Sequence, residues 1–230
     1  MTFERHAIYW APRPESQIAQ FGREWLGGNP ETGAPCERRT TFGLNADLVE
    51  KATASPRRYG LHATIKAPFR LAAGTSQAAL SEAIAAFCGR RRPVRSGPLR
   101  LHQFSRYLAL VPASDRAGIE WLEAECVTHF DRFRAPLSDA DRARRPGKLP
   151  PLEERHFEQF GYPYIFSRFF FHITLAGPLV DDELTRLEAA LAPAVAPFTQ
   201  YKFVIEDLCL AGDPGGGAMF RIAGRYPFRL

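Results

Sequence analysis

The feature that most constrains how this chain can fold is an internal duplication. Residues 58–68 read RYGLHATIKAP and residues 168–178 read RFFFHITLAGP. Laid over one another, Arg58 meets Arg168, His62 meets His172, Thr64 meets Thr174 and Pro68 meets Pro178, with Tyr59 on Phe169. The apolar residues that flank each His and Thr match as well. A repeat of this kind marks one structural unit built twice. Each copy alternates side-chain character, which predicts a strand whose successive residues point to opposite faces. In the first copy Leu61, Ala63 and Ile65 take the core face, while His62 and Thr64 share the other face with Arg58, Gly60 and Lys66.

The segments downstream of the two copies also repeat in kind. Residues 76–90 carry Leu80, Ile84 and Phe87 at helical spacing, with Thr75 or Ser76 placed to cap the start. Residues 181–191 carry Leu184, Leu187 and Leu191 behind an acidic start, and Pro193 stops the helix. Two strand-like segments come after each helix: residues 99–104 and 106–111 in the first half, 202–210 and 218–226 in the second. The glycine-rich residues 212–217 join the last pair. They lack the Lys-Ser/Thr ending and the ensuing helix of a phosphate-binding loop, and read as a hairpin turn. Each half is thus strand, helix, strand, strand, an α/β (α+β) architecture. A strand at 3–10 and a helix at 15–26 precede the first motif, and a helix at 117–133 precedes the second. Residues 29–41 read as a loop. Residues 135–159, with scattered prolines and mixed charge, read as an insertion with a short helix near 153–160, long enough to serve as a lid. The expected organisation is one bilobal domain over residues 1–230, with halves 1–114 and 115–230.

The formal net charge of +5 favours an anionic partner only mildly. The basic runs Arg38-Arg39, Arg57-Arg58, Arg90-Arg91-Arg92 and residues 142–148 are short, unlike the dense stripe of a nucleic-acid platform. Four cysteines, Cys36, Cys88, Cys126 and Cys209, lie far apart with no C-x-x-C, which argues against a zinc knuckle or a dithiol redox site. No leader is evident, and the greasiest run, residues 162–180, is interrupted by Arg168 and His172. The expected setting is a reduced cytoplasm, with no membrane partner.

Two H-x-T strands related by a local two-fold axis would bring two imidazoles and two hydroxyls to one cleft. One His takes a proton while the other gives one, work that suits an unperturbed pKa of about 6.5. The Thr hydroxyls can donate to the non-bridging oxygens of a phosphate. Arg58, Arg168 or Lys66 can add positive charge there. Tyr9, on the first strand, reads as a core or cleft-edge residue, and at a cleft edge its phenol could hydrogen-bond a substrate. This set suits attack of water on a phosphodiester. It calls for no metal or other cofactor, because side chains supply both acid and base. Neither motif carries an Asp or Glu on the His face to complete a metal site. His6, His102, His129 and His156 occur singly and read as surface or structural residues.

The paired HATI and HITL segments resemble the H-x-T/S-x motifs of the two-histidine (2H) phosphoesterase superfamily. The strings AIYWAP, RRYGLHATIKAPF and FHITLAGPL are similar to its phosphonate-metabolism branch. The resemblance implies a bilobal fold with two antiparallel sheets around a central cleft. It implies metal-independent handling of cyclic or 2′-linked phosphodiesters, with His62 and His172 as acid and base and Thr64 and Thr174 on the phosphate. Lys66 has no basic counterpart at Ala176, so the site is expected to be pseudo-symmetric. The branch implies a small anionic cyclic phosphate, 5-phosphoribosyl 1,2-cyclic phosphate, as substrate. An enzyme acting on RNA 2′,3′-cyclic phosphate ends, hydrolytic or ligase-like, and a non-catalytic phosphometabolite-binding module remain the alternatives.

Overall fold

The structure, a computed structural model, describes residues 2–38, 41–143 and 147–229. Arg39 and residues 144–146, parts of two of the short basic runs, lie outside the described residues. In chain order the elements are β1 (Arg5–Trp10), α1 (Gln17–Leu26), β2 (Gly28–Asn29), β3 (Ala34–Pro35), α2 (Ala46–Arg57) and β4 (Ala63–Phe69). They continue with α3 (Gln77–Cys88), β5 (Val94–Phe104), β6 (Tyr107–Pro112), α4 (Ala117–Phe130), α5 (Asp139–Ala143) and α6 (Pro151–Phe160). The chain closes with β7 (Ile173–Ala176), α7 (Asp181–Val195), β8 (Lys202–Ile205), β9 (Asp207–Asp213) and β10 (Arg221–Pro227).

The motif segments form β4 and β7, and each is an edge strand of a four-stranded antiparallel sheet. One sheet runs β10-β9-β1-β4 and the other β7-β6-β5-β8. The sheets therefore exchange strands between sequence halves. The strands after the first motif build the sheet of the second, and β9 and β10, after the second motif, join the sheet of the first. A boundary near residue 114 does not separate them. The helices cross over in the same way, with α2 against β7 and α4 against β4. The strand expected at 202–210 divides at Glu206, so that β8 serves one sheet and β9 the other.

Local signals account for most element ends. Ser16 accepts from the Ala19 N–H at the start of α1, and Gly27, at φ 74°, ends that helix in the left-handed region. Ser76 caps α3 by accepting from the Ala79 N–H. Helix α2 is not expected from the sequence pattern. Its charged Glu50 and Lys51 and its late Pro56 blur the periodicity, although Asn45 caps it by accepting from the Asp47 N–H. Both sheets and their helices share one core that includes Trp25, Phe87, Phe130, Ile173 and Leu187. Full burial of each such side chain is worth about 1.5–3 kcal/mol. Within it, the Trp25 indole N–H donates to the Leu175 carbonyl at 2.8 Å, tying α1 to β7. Among the described residues no helix is long and apolar enough to cross a membrane.

One irregularity decides what faces the cleft. Opposite β4, Tyr9 pairs with Thr64 but Ile8 pairs with Lys66, so an extra residue, Ile65, is inserted. Opposite β7, Ala109 pairs with Thr174 but Leu108 pairs with Ala176, so Leu175 is inserted. A bulge of this kind turns the next side chain to the other face. The duplication thus extends to a bulge immediately after each Thr.

Candidate active site

A cavity of about 600 Å³ is lined by His62, Thr64, His172 and Thr174 together. The repeat therefore does in space what its spacing suggests: two copies of H-x-T face one cleft. In each copy the His and Thr are half-buried between fully buried neighbours, the burial pattern of a strand with one wet face.

The two imidazoles are held alike. His62 Nδ1–H donates to the Gly60 carbonyl at 2.9 Å, and His172 Nδ1–H donates to the Phe170 carbonyl at 2.7 Å. A ring nitrogen facing a carbonyl must carry the proton, so each Nε2 keeps its lone pair. Nε2 of His62 lies 3.3 Å from Thr64 Oγ1. Gly60 sits at φ 68°, and a Cβ there would fall 2.9 Å from Pro30, so glycine suits both the turn and the close approach. Burial pulls His62 down to about 4, against the hydrogen bond to Gly60, and the charge of His172 lowers it further. Burial also lowers His172. Both rings are neutral at pH 7 in the free site.

Around these common parts the two sides differ. Tyr9 packs against His62 with ring centroids 4.1 Å apart and the rings tilted by 37°, and Tyr59 lies 5.8 Å away. Burial pushes the Tyr9 phenol well above its usual value, so it remains a hydrogen-bond donor. His172 packs instead against Phe104 and Phe170, at 5.2 and 5.7 Å.

Tyr9 lines the cavity as expected, but the three cations read from the motif do not. Lys66 is turned into the core by the bulge. Its ammonium donates to the Val127 carbonyl at 3.2 Å and lies 3.3 Å from Asp131. Burial lowers its pKa against the pull of Asp131. Arg58 comes just after the end of α2, outside the strand, and pairs with buried Asp213 at 3.4 Å. Arg168 is exposed and pairs with Glu153 at 2.9 Å. Simple alternation puts all three on the cleft face, and a bulge, a helix end and a 3₁₀ turn each break that rule.

Other residues supply what was expected of them. Arg5, Arg70 and Arg134 line the cavity. So do Tyr59, Tyr107, Tyr162 and Tyr164, so that with Tyr9 five of the seven tyrosines face it. Arg5 was findable, because Arg5, Ala7 and Tyr9 alternate on one strand face. Tyr107 is held where a Cβ on Gly177 would meet its ring at 2.6 Å and the Arg106 carbonyl at 2.5 Å. The insertion contributes a wall through Ala135, Leu137, Asp141 and Phe157. The segment after α6 brings Tyr162 and Tyr164 and is pinned by polar contacts. His156 Nδ1–H donates to the Pro163 carbonyl, and the Phe166 N–H donates to buried Glu123 at 3.1 Å. Among the described residues no cluster of three or more His, Cys, Asp or Glu is spaced to hold a metal ion.

A family model described as "Protein of unknown function (DUF1045)" matches residues 64–221, more than half of the chain. The chain belongs to this family. The matched stretch of the DUF1045 chain begins at Thr64 and includes His172 and Thr174. Two curated relatives, from Janthinobacterium sp. (strain Marseille) and Laribacter hongkongensis (strain HLHK9), are both named "Ribose 1,5-bisphosphate phosphokinase PhnN". The first is 34% identical over 229 residues and the second 32% over 222, covering 97% and 95% of this chain. The DUF1045 chain spans about half the length of these relatives, 51% and 50%. Solved structures titled as a phosphoesterase, as E. coli LigT complexed with 3′-AMP and as E. coli LigT complexed with NADP+ align over all of both chains. Their TM-scores are 0.42, 0.46 and 0.44 at 12%, 15% and 13% identity, too distant a likeness to bear on the chemistry.

Proposed function

We propose that this DUF1045 chain is a two-histidine phosphoesterase that opens a small cyclic phosphodiester by His62/His172 acid–base catalysis. The observation that carries the reading is the equivalence of the two imidazoles. Each lines the same cavity, each donates Nδ1–H to the carbonyl two residues before it, and each leaves Nε2 for proton transfer. A water gives its proton to one Nε2 and attacks phosphorus. The other imidazole, protonated beforehand, gives its proton to the oxygen that leaves. The Thr64 and Thr174 hydroxyls donate to the non-bridging oxygens, whose charge grows during attack. A bound phosphate favours the protonation that burial alone opposes, so substrate helps to charge the acid.

The proposed substrate is 5-phosphoribosyl 1,2-cyclic phosphate. Its support beyond the sequence is the relatives' printed name. Breaking the bond from phosphorus to O2, with the proton going to O2, leaves ribose 1,5-bisphosphate, the compound in that name. A nucleoside 2′,3′-cyclic phosphate is the competing reading. The sequence pattern shows no evident aromatic stacking set, which weighs against RNA. The cavity-lining tyrosines weaken that objection, because Tyr162 and Tyr164 are exposed and offer ring faces on which a base could stack. Phosphorus NMR of the EDTA-treated protein with both substrates separates the readings. Ring opening of the sugar phosphate, lost in His62→Ala and His172→Ala, is the expected result. Turnover of the nucleotide alone would assign RNA-end chemistry. Ligand binding with turnover of neither would leave a binding module.

A further inference from the structure

We infer that Arg5 and Arg70 form a subsite for a second phosphate on the substrate, away from the two histidines. This rests on the proposed phosphoesterase reading and names what lies beyond its reacting centre. The register places the two arginines. His6 pairs with Phe69, the last residue of β4, so Arg5 at the start of β1 and Arg70 just past β4 leave this end of the sheet as neighbours. Thr64 pairs with Tyr9 nearer the other end of these strands. Both arginines line the same cavity as His62 and Thr64. One ligand can therefore span from the H-x-T centre to this end.

The arginines are aimed from behind and keep donors in reserve. Asp213 engages the Nε–Nη2 edge of Arg5, at 3.0 and 2.5 Å, and leaves Nη1 outside that pair. Asp213 is 1% exposed and anchors the guanidinium from the strand next to β1. Arg70 gives Nη2 to Asp141 at 2.5 Å and to the Pro136 carbonyl at 3.2 Å, leaving Nε and Nη1 outside those bonds. Arg134 lines the same cavity, but it donates to Asp131, Ala135 and Gln159, so it adds charge and shape rather than a free edge. Each of these arginines has a carboxylate partner, Asp213 for Arg5, Asp141 for Arg70 and Asp131 for Arg134, so the subsite rests on the guanidinium donors those pairs leave over rather than on surplus charge. A phosphate monoester, with three terminal oxygens and nearly two negative charges, matches two forked donors. Lys66, the motif cation without a counterpart in the second copy, is buried in the core instead.

Calorimetric titration with ribose 5-phosphate tests the subsite without needing turnover. Arg70→Gln is the main variant, because Arg70 is exposed and its partner Asp141 is half-buried rather than in the core. Affinity is expected to fall about 10- to 100-fold in Arg70→Gln, to recover in part in Arg70→Lys, and to stay near wild type in His172→Ala. Arg5→Gln gives the second measurement, with thermal melts to confirm that each variant folds. Unchanged affinity in both arginine variants overturns the inference. So does a loss in His172→Ala as large as in Arg70→Gln, because the monoester would then sit among the histidines. On the enzyme, Arg70→Gln is expected to erase the kcat/KM preference for phosphoribosyl over unphosphorylated ribosyl 1,2-cyclic phosphate. Arg70-dependent binding of ribose 5-phosphate, with no cyclic diester opened by the wild type, would sink the proposed function and leave the subsite standing.

Discussion

The His62 side and the His172 side of the cleft share their working parts and differ in almost everything around them. Both have a His locked by the carbonyl two residues back, a Thr two residues on, and a bulge directly after it. On one side the ring rests on Tyr9 and Tyr59, and the strand leads toward Arg5 and Arg70. On the other it rests on Phe104 and Phe170. On the proposed reading, the duplication repeats the apparatus for moving protons and holding a phosphate. The copies differ in what surrounds them, tyrosines on one side and phenylalanines on the other, and on the proposed reading that difference orients a lopsided substrate.

The sharpest way to break this comparison is to remove one histidine at a time. His62→Ala and His172→Ala are each expected to lower kcat by about 10²–10⁴-fold, and the double variant to be little worse than either, since the pair acts as a unit. A rate near wild type in one of them would mean that the second copy is scaffold. Next come the hydroxyls. Thr64→Val and Thr174→Val should each cost about 10²-fold in kcat, with a smaller effect on KM, if both donate to the charge that develops on phosphate. A change in KM alone would make them ground-state contacts.

The two carbonyls that hold the imidazoles offer a smaller and more selective test. Gly60 is in the left-handed region and close to Pro30, whereas Phe170 fills the same place in the second copy. Gly60→Ala should cost about 1–2 kcal/mol of stability and shift the carbonyl that orients His62. Phe170→Ala keeps its carbonyl and should spare the orientation of His172. Equal losses of kcat in the two would show that ring packing, rather than the carbonyl, sets the geometry.

Much of this was open to sequence reasoning, and the failures have physical causes. A duplicated H-x-T carries its own evidence, because packing alone does not call for His and Thr opposite an apolar face in both copies. The extended motif strands and the capped helix α3 are legible from period and cap residues. Alternation failed at Lys66, because a one-residue bulge leaves no mark in a single sequence. The second copy hides its own bulge as well, since Ala176 is at home on either face. The strand exchange between halves was equally invisible, because the local pattern of β9 is the same whichever sheet it joins. Tyr107, Tyr162 and Tyr164 reach the cleft through tertiary placement, with no periodicity to announce them.

The smallest expected effect concerns stability. Both histidines are held neutral in the fold, with folded pKa values below the 6.5 of the unfolded chain. As pH falls below 6.5 the unfolded chain takes up protons first, so this contribution to stability shrinks until His62 itself titrates near 4. Melting temperatures between pH 7 and pH 4 should therefore fall less steeply in His62→Gln than in the wild type. An unchanged slope would place the acid sensitivity elsewhere.

The acid–base pairing itself is tested most directly by the pH dependence of kcat/KM in the wild type. On the proposed reading the active form holds one proton on the pair, and burial lowers both imidazoles from 6.5, His62 to about 4. A bell with its maximum on the acid side of pH 6.5, reduced to background when either histidine is replaced, is the expected result. A profile that rises to a plateau above pH 8, or keeps its shape without one of the histidines, would contradict acid–base catalysis by the pair.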